Sequence, residues 1–481
     1  MSYKHGVYIY EIPTSVTPPA SASAGLPVVI GTAPVNLATS PRVNEPVLCY
    51  SFSEAVEALG YSDDWGKFTL CEFMDSQFKL FNVAPVVFIN VLDPATHKTA
   101  QPETDFTISD EQVLIEKEGV ILDSVVVKSS DSVKTFAAGT DYTLGYNSSG
   151  QTVVNIKDTG TIGAAAQLKI GFDFADPSKV TKLDIIGGYD IATDKSEGLE
   201  LVNQIFPKFG LVPGQILAPG WSHYPEVSAV MTAKASNING HFKATVLSDI
   251  DTDAAKTYSA APQEKGQANF AATNQTAYWP MLKLGDKKYH MSTQIAGLTC
   301  KVDAQNEDIP YESPSNKAIQ ANGLVLADGT EIIMGPEQAA YLNGQGIITS
   351  MNFIGGFKCW GNRTAAYPGI TDPKDAFVPI RRMFNWIANT LITTYWQKID
   401  NPQNIRLVDS VVDSANIWLN GLTSRGYLLG ARVEFRSDEN PLTNLLDGKM
   451  KFHLYMTPPP PAEEIGFVLE YDVNYMNTLF R

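Results

Sequence analysis

Residues 458–473 read PPPPAEEIGFVLEYDV, four prolines followed by an alternating run. Such alternation predicts a β-strand with one apolar face, because successive side chains of a strand point to opposite sides. Prolines cannot donate ladder hydrogen bonds and favour an extended conformation, so they separate this strand from what precedes it. The strand either folds back onto its own sheet or joins the sheet of a neighbour. The apolar residues of the predicted C-terminal arm are Ile465, Phe467, Leu469, Tyr471 and Val473.

The N-terminal end has the same organisation. A short strand-prone run, Val7–Ile12, is followed by a stretch rich in proline, serine and alanine up to Gly25. Two tethered strands, one near each end, indicate a subunit that links to other subunits through its termini. The residues of the predicted N-terminal arm are Tyr3, Val7, Tyr8, Ile9, Tyr10 and Ile12.

Length and composition are those of a multidomain globular protein. The chain has 481 residues, of which 44% are hydrophobic and 18% charged, and this length is typical of roughly three domains. No apolar run reaches membrane-spanning length and no signal pattern precedes the first strand, so we expect a soluble protein made in a cytoplasm, with no direct membrane insertion. The cysteines lack metal or disulfide spacing and are expected to be buried thiols.

The charge is unevenly distributed. The formal net charge of −16 argues against nucleic acid as a partner. Residues 351–436 nevertheless contain 10 Lys/Arg and 6 Asp/Glu, which makes this region mildly basic. Such a module is either a chance fluctuation or a surface that meets an acidic partner.

The first half of the chain predicts an α/β unit interrupted by a β-rich insertion. Ser51–Gly60 has capping-box spacing and predicts a short helix. A second helix follows over residues 70–81, and the nearly continuous apolar run 84–92 predicts a strand covered on both faces. Residues 96–181 contain short strands and turn residues, including a hairpin loop at Asn147–Gly150, and predict an inserted all-β domain.

Alternating helices and strands resume after residue 182. Their order predicts a mostly parallel sheet with helices on its faces, formed by residues 26–95 and 182–350. Residues 351–457 predict a C-terminal α+β domain, with one long amphipathic helix over 375–400, another at Leu407–Leu422, and antiparallel strands. Residues 1–25 and 458–481 are assigned to the two arms and their linkers.

No catalytic or metal motif is present. None of the six histidines has metal-ligand spacing. The sequence GWSHY around Ser222 lacks the second glycine of a nucleophile elbow, and a neighbouring histidine is a poor triad partner. Asp249, Asp251 and Asp253 form either a cation site or, as we favour, an exposed acidic loop. We therefore predict a protein without enzymatic activity, catalytic residues, bound metal or cofactor.

The C-terminal third resembles the tail sheath proteins of contractile phages and phage-tail-like bacteriocins. The similarity is carried by RRMFNWIANTLITTYW (381–396), by the segment from Asn401 to Gly430, and by LTNLLDGKMKFHLYMTPPPPAEEIGFVLEYD (442–472). HGVYIYEI (5–12) and GTAP (31–34) are also similar. The resemblance implies a subtilisin-like fold for the α/β core. The motifs of a protease are missing, however, so this fold does not imply protease activity.

The resemblance also implies a function. Sheath subunits of this family exchange their N- and C-terminal arms, assemble as a helical sleeve around a tail tube, and contract to drive the tube through a bacterial envelope. The implied partners are further copies of the chain, the tube protein, and baseplate and tail-terminator proteins. The implied location is the tail of a virion or phage-tail-like particle, assembled in bacterial cytoplasm. A basic module suits an acidic tube, with candidate contacts at Lys374, Arg381, Arg382 and Lys398.

Two other classes stay open at this point. A hydrolase of subtilisin-like fold would need serine, histidine and aspartate side chains that converge in space. A pilus-type or surface-layer subunit with donated strands would need a secretion signal, which is not seen.

Overall fold

The structure is a computed structural model that describes residues 20–21, 24–147, 150–163 and 165–480. The predicted N-terminal arm, with Tyr3, Val7, Tyr8, Ile9, Tyr10 and Ile12, lies outside these ranges. In the first part of the chain the elements are β1 (Ala20–Ser21), β2 (Pro27–Gly31), a 3-10 turn (Val35–Leu37), β3 (Pro46–Cys49), α1 (Phe52–Leu59), α2 (Thr69–Met74), π-helical turns (Asp75–Phe81), β4 (Val83–Ala84) and β5 (Val86–Asn90).

Local side-chain chemistry delimits α1. The Ser51 hydroxyl accepts a hydrogen bond from the Glu54 backbone N–H at 3.2 Å, and the Glu54 carboxylate accepts from the Tyr50 N–H at 2.8 Å. These bonds satisfy N–H groups that the first turn leaves without a helical partner. Gly60 ends the helix with φ +73°, a conformation that favours glycine. The predicted helix is confirmed.

The second predicted helix begins as α2 and continues in π-helical turns, which periodicity did not anticipate. Leu70, Phe73, Met74, Phe78 and Phe81 all lie in the core. The wider turns keep these residues on the buried side over thirteen residues, from Thr69 to Phe81.

The next segment folds as two antiparallel three-stranded sheets, in the orders β6-β11-β8 and β7-β10-β9. Between them lies a separate hydrophobic cluster that includes Val127, Val154, Leu168 and Ile170. The predicted hairpin is confirmed, since β9 and β10 pair on either side of residues 147–151. The elements are β6 (Lys98–Thr107), β7 (Gln112–Ile115), a 3-10 turn (Leu122–Ser124), β8 (Val126–Ser129), β9 (Tyr142–Tyr146), β10 (Thr152–Ile156), β11 (Gln167–Ala175) and a 3-10 turn (Pro177–Lys179).

Helices and strands then alternate. The helices are α3 (Lys182–Ile186), a 3-10 helix (Gly198–Gln204), α4 (Ile205–Phe209), α5 (Pro225–Ser236), α6 (Ala261–Gln267), α7 (Met291–Gln305) and α8 (Pro336–Gly344). The strands are β12 (Gly188–Asp190), β13 (Lys195–Glu197), β14 (Gln215–Leu217), β15 (Thr245–Asp249), β16 (Gln275–Tyr278), β17 (Met281–Leu284), β18 (Lys287–Tyr289), β19 (Gly323–Val325), β20 (Glu331–Ile332), β21 (Ile347–Asn352) and β22 (Phe357–Trp360).

The centre of the molecule is an eight-stranded sheet in the order β22-β21-β16-β15-β14-β2-β5-β3. Its six inner strands are parallel, as the alternation of helices and strands predicts. Both edge strands run antiparallel to their neighbours. Every residue of β5 and β15 is buried, which matches strands covered on both faces. The predicted boundary at residue 350 is wrong, because it separates edge strand β22 from this sheet.

The C-terminal unit packs two long helices against a two-stranded sheet. Met383 and Ile387 of the first long helix meet Ala415, Leu419 and Leu422 of the second. The elements are α9 (Pro373–Ala376), α10 (Val378–Tyr395), a 3-10 turn (Trp396–Lys398), α11 (Ile405–Ser424), β23 (Gly430–Glu434), α12 (Leu442–Leu446), β24 (His453–Thr457) and a 3-10 helix (Val473–Phe480).

A buried ion pair joins this unit to the core. The Arg382 side chain on α10 is 6% exposed, and both of its terminal nitrogens bond to the Asp303 carboxylate on α7, which is fully buried. The paired charges satisfy one another where water is excluded. Arg382 is therefore not part of a solvated helix face and lacks the surface exposure that the predicted tube contact needs.

Candidate assembly interface

The C-terminal arm, residues 464–481, is described to residue 480 and projects from the body of the protein. Its apolar side chains are exposed: Phe467 is 86% and Leu469 95% accessible. Ile465, Tyr471 and Val473 are also largely exposed. Between Pro458 and Asp472 no residue belongs to a strand. The prediction of a strand therefore fails for the single chain, since a strand needs a paired edge and none accepts this segment.

The arm makes its hydrogen bonds within itself. Examples are the bond from the Asn474 N–H to the Asp472 carboxylate and that from the Thr478 hydroxyl to the Tyr475 carbonyl. Among the described residues, no hydrogen bond or ion pair connects residues 464–480 to the body. The arm thus exposes a row of apolar side chains without an intramolecular partner, and such surfaces mark interaction sites.

The sheet β23–β24 has one packed face. Its strands are antiparallel, with Arg432 opposite Tyr455 and Val433 opposite Leu454. Ala431, Val433, Leu454 and Met456 belong to the hydrophobic cluster that includes α11. On the other face, the Arg432 guanidinium lies 4.0 Å from the centre of the Tyr455 ring. A strand added to this sheet would continue an apolar face over the helix and a polar face towards solvent.

The two edges of this sheet differ. On the β23 edge, Asn416 of α11 bonds to the backbone of Val433 twice: its amide nitrogen donates to the Val433 carbonyl at 3.0 Å, and its oxygen accepts from the Val433 N–H at 2.8 Å. Among the described strands, β24 pairs with β23 alone. The β24 edge is therefore the open one, where an extended segment can bond to the backbone.

The root of the N-terminal segment is fixed to the core. The Ala24 N–H donates to both carboxylate oxygens of Asp308 at 3.0 Å. The Gly25 carbonyl accepts from the Gln215 side chain at 2.8 Å. The short strand β1 pairs in parallel with β4.

The predicted tube contacts have different environments. Arg381 donates to Asp375 at 2.9 Å, and Lys374 also pairs with this carboxylate. Burial acts to raise the pKa of Asp375, but these two cations outweigh it and hold the pKa below its usual range. Lys398 follows α10 and has no ion-pair partner in the described part of the chain. Of the four residues, Lys398 is the cation most available to a partner.

A cleft of about 720 Å³ lies at the carboxyl ends of the central strands, the position where α/β proteins bind ligands. His290 stands at its wall and bonds through Nδ1 to the Glu72 carboxylate at 2.8 Å. Burial opposes the charge on His290, but Glu72 and Asp249 outweigh it and raise its pKa to about 9. Burial also lowers the pKa of His223 in the same cleft.

The polar groups of this cleft are engaged with one another rather than arranged as a nucleophile and base. The Ser222 hydroxyl is buried and accepts from the Asp249 N–H at 3.0 Å. The Asp249 carboxylate accepts from the N–H and hydroxyl of Ser292. Asp249 is thus buried, which corrects the prediction that it lies in an exposed acidic loop, while Asp253 is exposed. Among the residues that the structure describes, His290 makes no hydrogen bond to a serine hydroxyl, so the geometry gives the hydrolase hypothesis no support.

Other site types have little basis in the described ranges. Within them, no three His, Cys, Asp or Glu side chains converge as metal ligands would. None of the described helices combines the length and apolar character needed to cross a membrane. The four cysteines are buried thiols, as predicted.

Comparison with known sequences finds relatives of one kind. No family model matches the chain. A tail sheath protein of Burkholderia phage BcepMu is 29% identical over 492 aligned positions, which cover 99% of this chain and 98% of the relative. A prophage major tail sheath protein of Pseudomonas aeruginosa is 24% identical over 64% of this chain and 77% of its own length. The tail sheath protein of Escherichia phage P2 is 25% identical over 41% of this chain and 50% of the relative.

Solved structures of similar fold come from contractile particles. A chain of the anti-feeding prophage baseplate superposes with a TM-score of 0.58 at 15% identity, covering 98% of this chain and all of that one. The sheath of the extracellular contractile injection system PVC, in its contracted state, gives 0.57 at 16% identity, over 98% and 99% of the two chains. These similarities establish a shared fold, and the BcepMu relative adds similarity of sequence over nearly the full length. The chain is thus similar in sequence to a phage tail sheath protein over nearly its whole length, and it shares the fold of chains from contractile particles.

Proposed function

We propose that this chain polymerises into a helical sleeve around a tail tube, that neighbouring copies are linked by exchanged terminal strands, and that the sleeve contracts to drive the tube through a bacterial envelope. One observation carries the proposal: an exposed apolar arm and an open strand edge occur in the same molecule. In the described structure the arm has no sheet to join, and the β24 edge has no strand paired with it.

The chemistry of the two elements matches. Added to β24, the arm would bond to an unpaired backbone edge, and each hydrogen bond contributes roughly 0.5–1.5 kcal/mol net. Its alternate apolar residues would extend the cluster that already contains Leu454 and Met456. Full burial of a Phe or Leu side chain stabilises by about 1.5–3 kcal/mol. Several such residues in one arm are enough to hold two subunits together.

Two arms per subunit would make the lattice multivalent. The N-terminal arm around Val7–Ile12 belongs to this proposal because of its sequence. When several links act together, loss of one leaves the others at high effective concentration. Rigid bodies that repack about such tethers have the two assembled states that contraction needs. The subtilisin-like architecture of the core and the separate roles of the domains are also part of the proposal.

The proposed partners are further copies of the chain, the tube protein, and baseplate and tail-terminator proteins. The location is the tail of a virion or phage-tail-like particle assembled in a bacterial cytoplasm. With Arg382 buried, the cationic surface that would meet the tube reduces to Lys374, Arg381 and Lys398. Ion pairs suit a contact that must be released, because solvent-exposed pairs are weak and screened by salt.

Deletion of residues 462–481 tests the proposal. Because this segment makes few bonds to the body, the truncated chain should stay folded, with an unchanged thermal unfolding temperature, but form no sleeves in electron micrographs. A truncated chain that assembles normally would contradict strand exchange, and one that fails to fold would show that the arm belongs to its own subunit.

A point substitution gives a matched control. Leu469→Asp places a charge on the apolar face of the arm, while Val133→Asp places one at an exposed valine in the turn that follows β8, which is 83% accessible. We expect the arm variant to abolish polymers and the control to retain them, measured by sedimentation at equal protein concentration. Equal effects would count against the arm.

A further inference from the structure

The C-terminal arm is attached to the body through one ion pair at its base. Glu463 immediately precedes the arm, and its carboxylate receives two parallel bonds from Arg363, from Nε at 3.1 Å and from one terminal nitrogen. The two residues are one hundred positions apart in the chain. Such two-point recognition fixes direction as well as distance, because the guanidinium and carboxylate planes must align.

Arg363 is held in place independently of Glu463. The centre of its guanidinium lies 3.9 Å from the Phe377 ring and 4.6 Å from the Tyr367 ring. The Arg363 backbone also forms an isolated antiparallel β-bridge with Phe377, the residue immediately before α10. Its side chain is only 19% exposed. A cation that is stacked on two rings and largely excluded from water loses little conformational freedom when it binds a carboxylate.

The spacer between β24 and Glu463 is held mainly at its two ends. Pro458 is buried where β24 ends. From Pro459 to Glu463 the spacer borders a cavity of about 760 Å³, whose opposite wall includes Trp360 and Pro379. The spacer thus bridges an open space instead of packing tightly against the core.

We propose that Arg363 is a positioning residue for strand exchange: by binding Glu463 it fixes the point and direction from which the arm departs. This inference rests on the proposed function. With the pair closed, the arm pivots at Glu463, the last residue with a described bond to the body. With the pair open, the pivot moves back to Pro458, and five residues at about 3.1 Å each add roughly 15 Å of reach.

The two pivots correspond to two requirements of a sheath. A closed pair restricts the volume that the arm searches, which raises its effective concentration at a neighbour's edge. An open pair lets the arm follow when neighbouring subunits change their spacing. The Glu463 side chain is 35% exposed, so the pair can open without burying an unpaired carboxylate.

The test uses the full-length chain with Glu463→Gln and Arg363→Lys. Lysine keeps the charge but cannot form the two-point bond. Glu464→Gln is the matched control, because Glu464 is exposed, adjacent, and has no ion pair in the described residues. A fluorophore on Asn474→Cys reports arm mobility, since the four native cysteines are at most 1% exposed. We expect lower anisotropy in both pair variants and no change in the control.

Assembly provides the second readout. We expect Glu463→Gln to polymerise roughly threefold to tenfold more slowly than the control at low salt, because a freer arm is less concentrated at its target. The difference should shrink at roughly 0.5 M salt, where a partly exposed pair is screened. Unfolding temperature should not change in either variant.

The outcomes separate this inference from strand exchange itself. If Glu463→Gln equals Glu464→Gln in both anisotropy and assembly rate, the positioning role is overturned, while strand exchange stands provided that deletion of residues 462–481 abolishes assembly. If that deletion leaves assembly intact, both ideas fall. Lower anisotropy with slower assembly supports the positioning role.

Discussion

Strands β5 and β24 have the same length and contrasting environments. All five residues of β5 are buried in the central sheet, whereas no residue of β24 is fully buried. β5 has a neighbour on each side, and β24 has one described neighbour. β5 thus lies inside an eight-stranded sheet, whereas β24 forms an edge of a two-stranded sheet. We infer that folding of the subunit depends on the first sheet, and assembly on the second.

The largest effect is expected in the central sheet. Phe88 of β5 is fully buried and packs against Phe73 and Phe78 with ring centres 6.2 and 6.3 Å apart. Phe88→Ala leaves a cavity and should lower the free energy of unfolding by about 3–5 kcal/mol. Leu454→Ala, on half-buried β24, should cost about 1 kcal/mol by chemical denaturation of the unassembled chain. Equal losses would mean that the two sheets are equally important to the fold.

A similar loss is expected where the two regions join. Arg382→Met leaves the Asp303 carboxylate buried without its cation and should destabilise the chain by about 3 kcal/mol. The double variant Arg382→Met with Asp303→Leu should recover most of that loss, because no charge is then buried. Arg406→Met, at an exposed position of α11, is the control and should change stability little. Denaturant titration of the four proteins distinguishes these outcomes; a harmless Arg382→Met would mean that the junction does not depend on this pair.

The cleft at the carboxyl ends of the central strands adds a pH-dependent contribution to the free energy of unfolding. The pKa of His290 is raised from 6.5 to about 9, so its pairing with Glu72 stabilises the fold fully below pH 6.5 and loses this effect as the pH rises through 9. A shift of this size corresponds to at most about 3 kcal/mol. Between pH 6 and 10, the wild-type chain should lose more unfolding free energy than His290→Gln. Parallel pH profiles would show that the ion pair contributes nothing.

Sequence analysis succeeded where the signal is local. The capped helix at Ser51–Gly60 is encoded by residues three to nine positions apart, and the β5 run is explicit in its composition. Sequence analysis failed where the environment of a side chain depends on a residue that is distant in sequence. Arg382 looked solvated because Asp303, which buries it, is 79 positions away. The Glu463–Arg363 pair has no local signature at all.

The open edge was only half predictable for the same reason. Alternation identified the apolar face of the arm, and the resemblance implied that a neighbour's sheet receives it. That β24 rather than β23 is available depends on Asn416, an ordinary polar residue in a helix pattern, whose amide happens to face the Val433 backbone. Only the packing of α11 on β23 reveals this bond pair, because helix periodicity does not report what a side chain meets.

The smallest effect on stability is expected at the β23 edge, where one substitution also tests which edge of the C-terminal sheet is open. Asn416→Ala removes two hydrogen bonds from Val433 and should cost about 1 kcal/mol in unfolding free energy. It should also expose the backbone of β23 to an incoming strand. The relevant measurement is the stoichiometry with which a synthetic peptide of residues 462–476 binds the chain that lacks residues 462–481, by calorimetry.

We expect one peptide per chain for the parent, because β24 is the open edge of the two-stranded sheet in the described structure, and a second, weaker site in Asn416→Ala. Ser414→Ala, which alters a neighbouring polar residue of α11 that bonds to Tyr395 at 2.8 Å, should keep a stoichiometry of one. Binding of two peptides by the parent would mean that Asn416 does not protect β23. Binding of none would mean that the sheet that looks incomplete in one chain is not the sheet that the arm completes in the next.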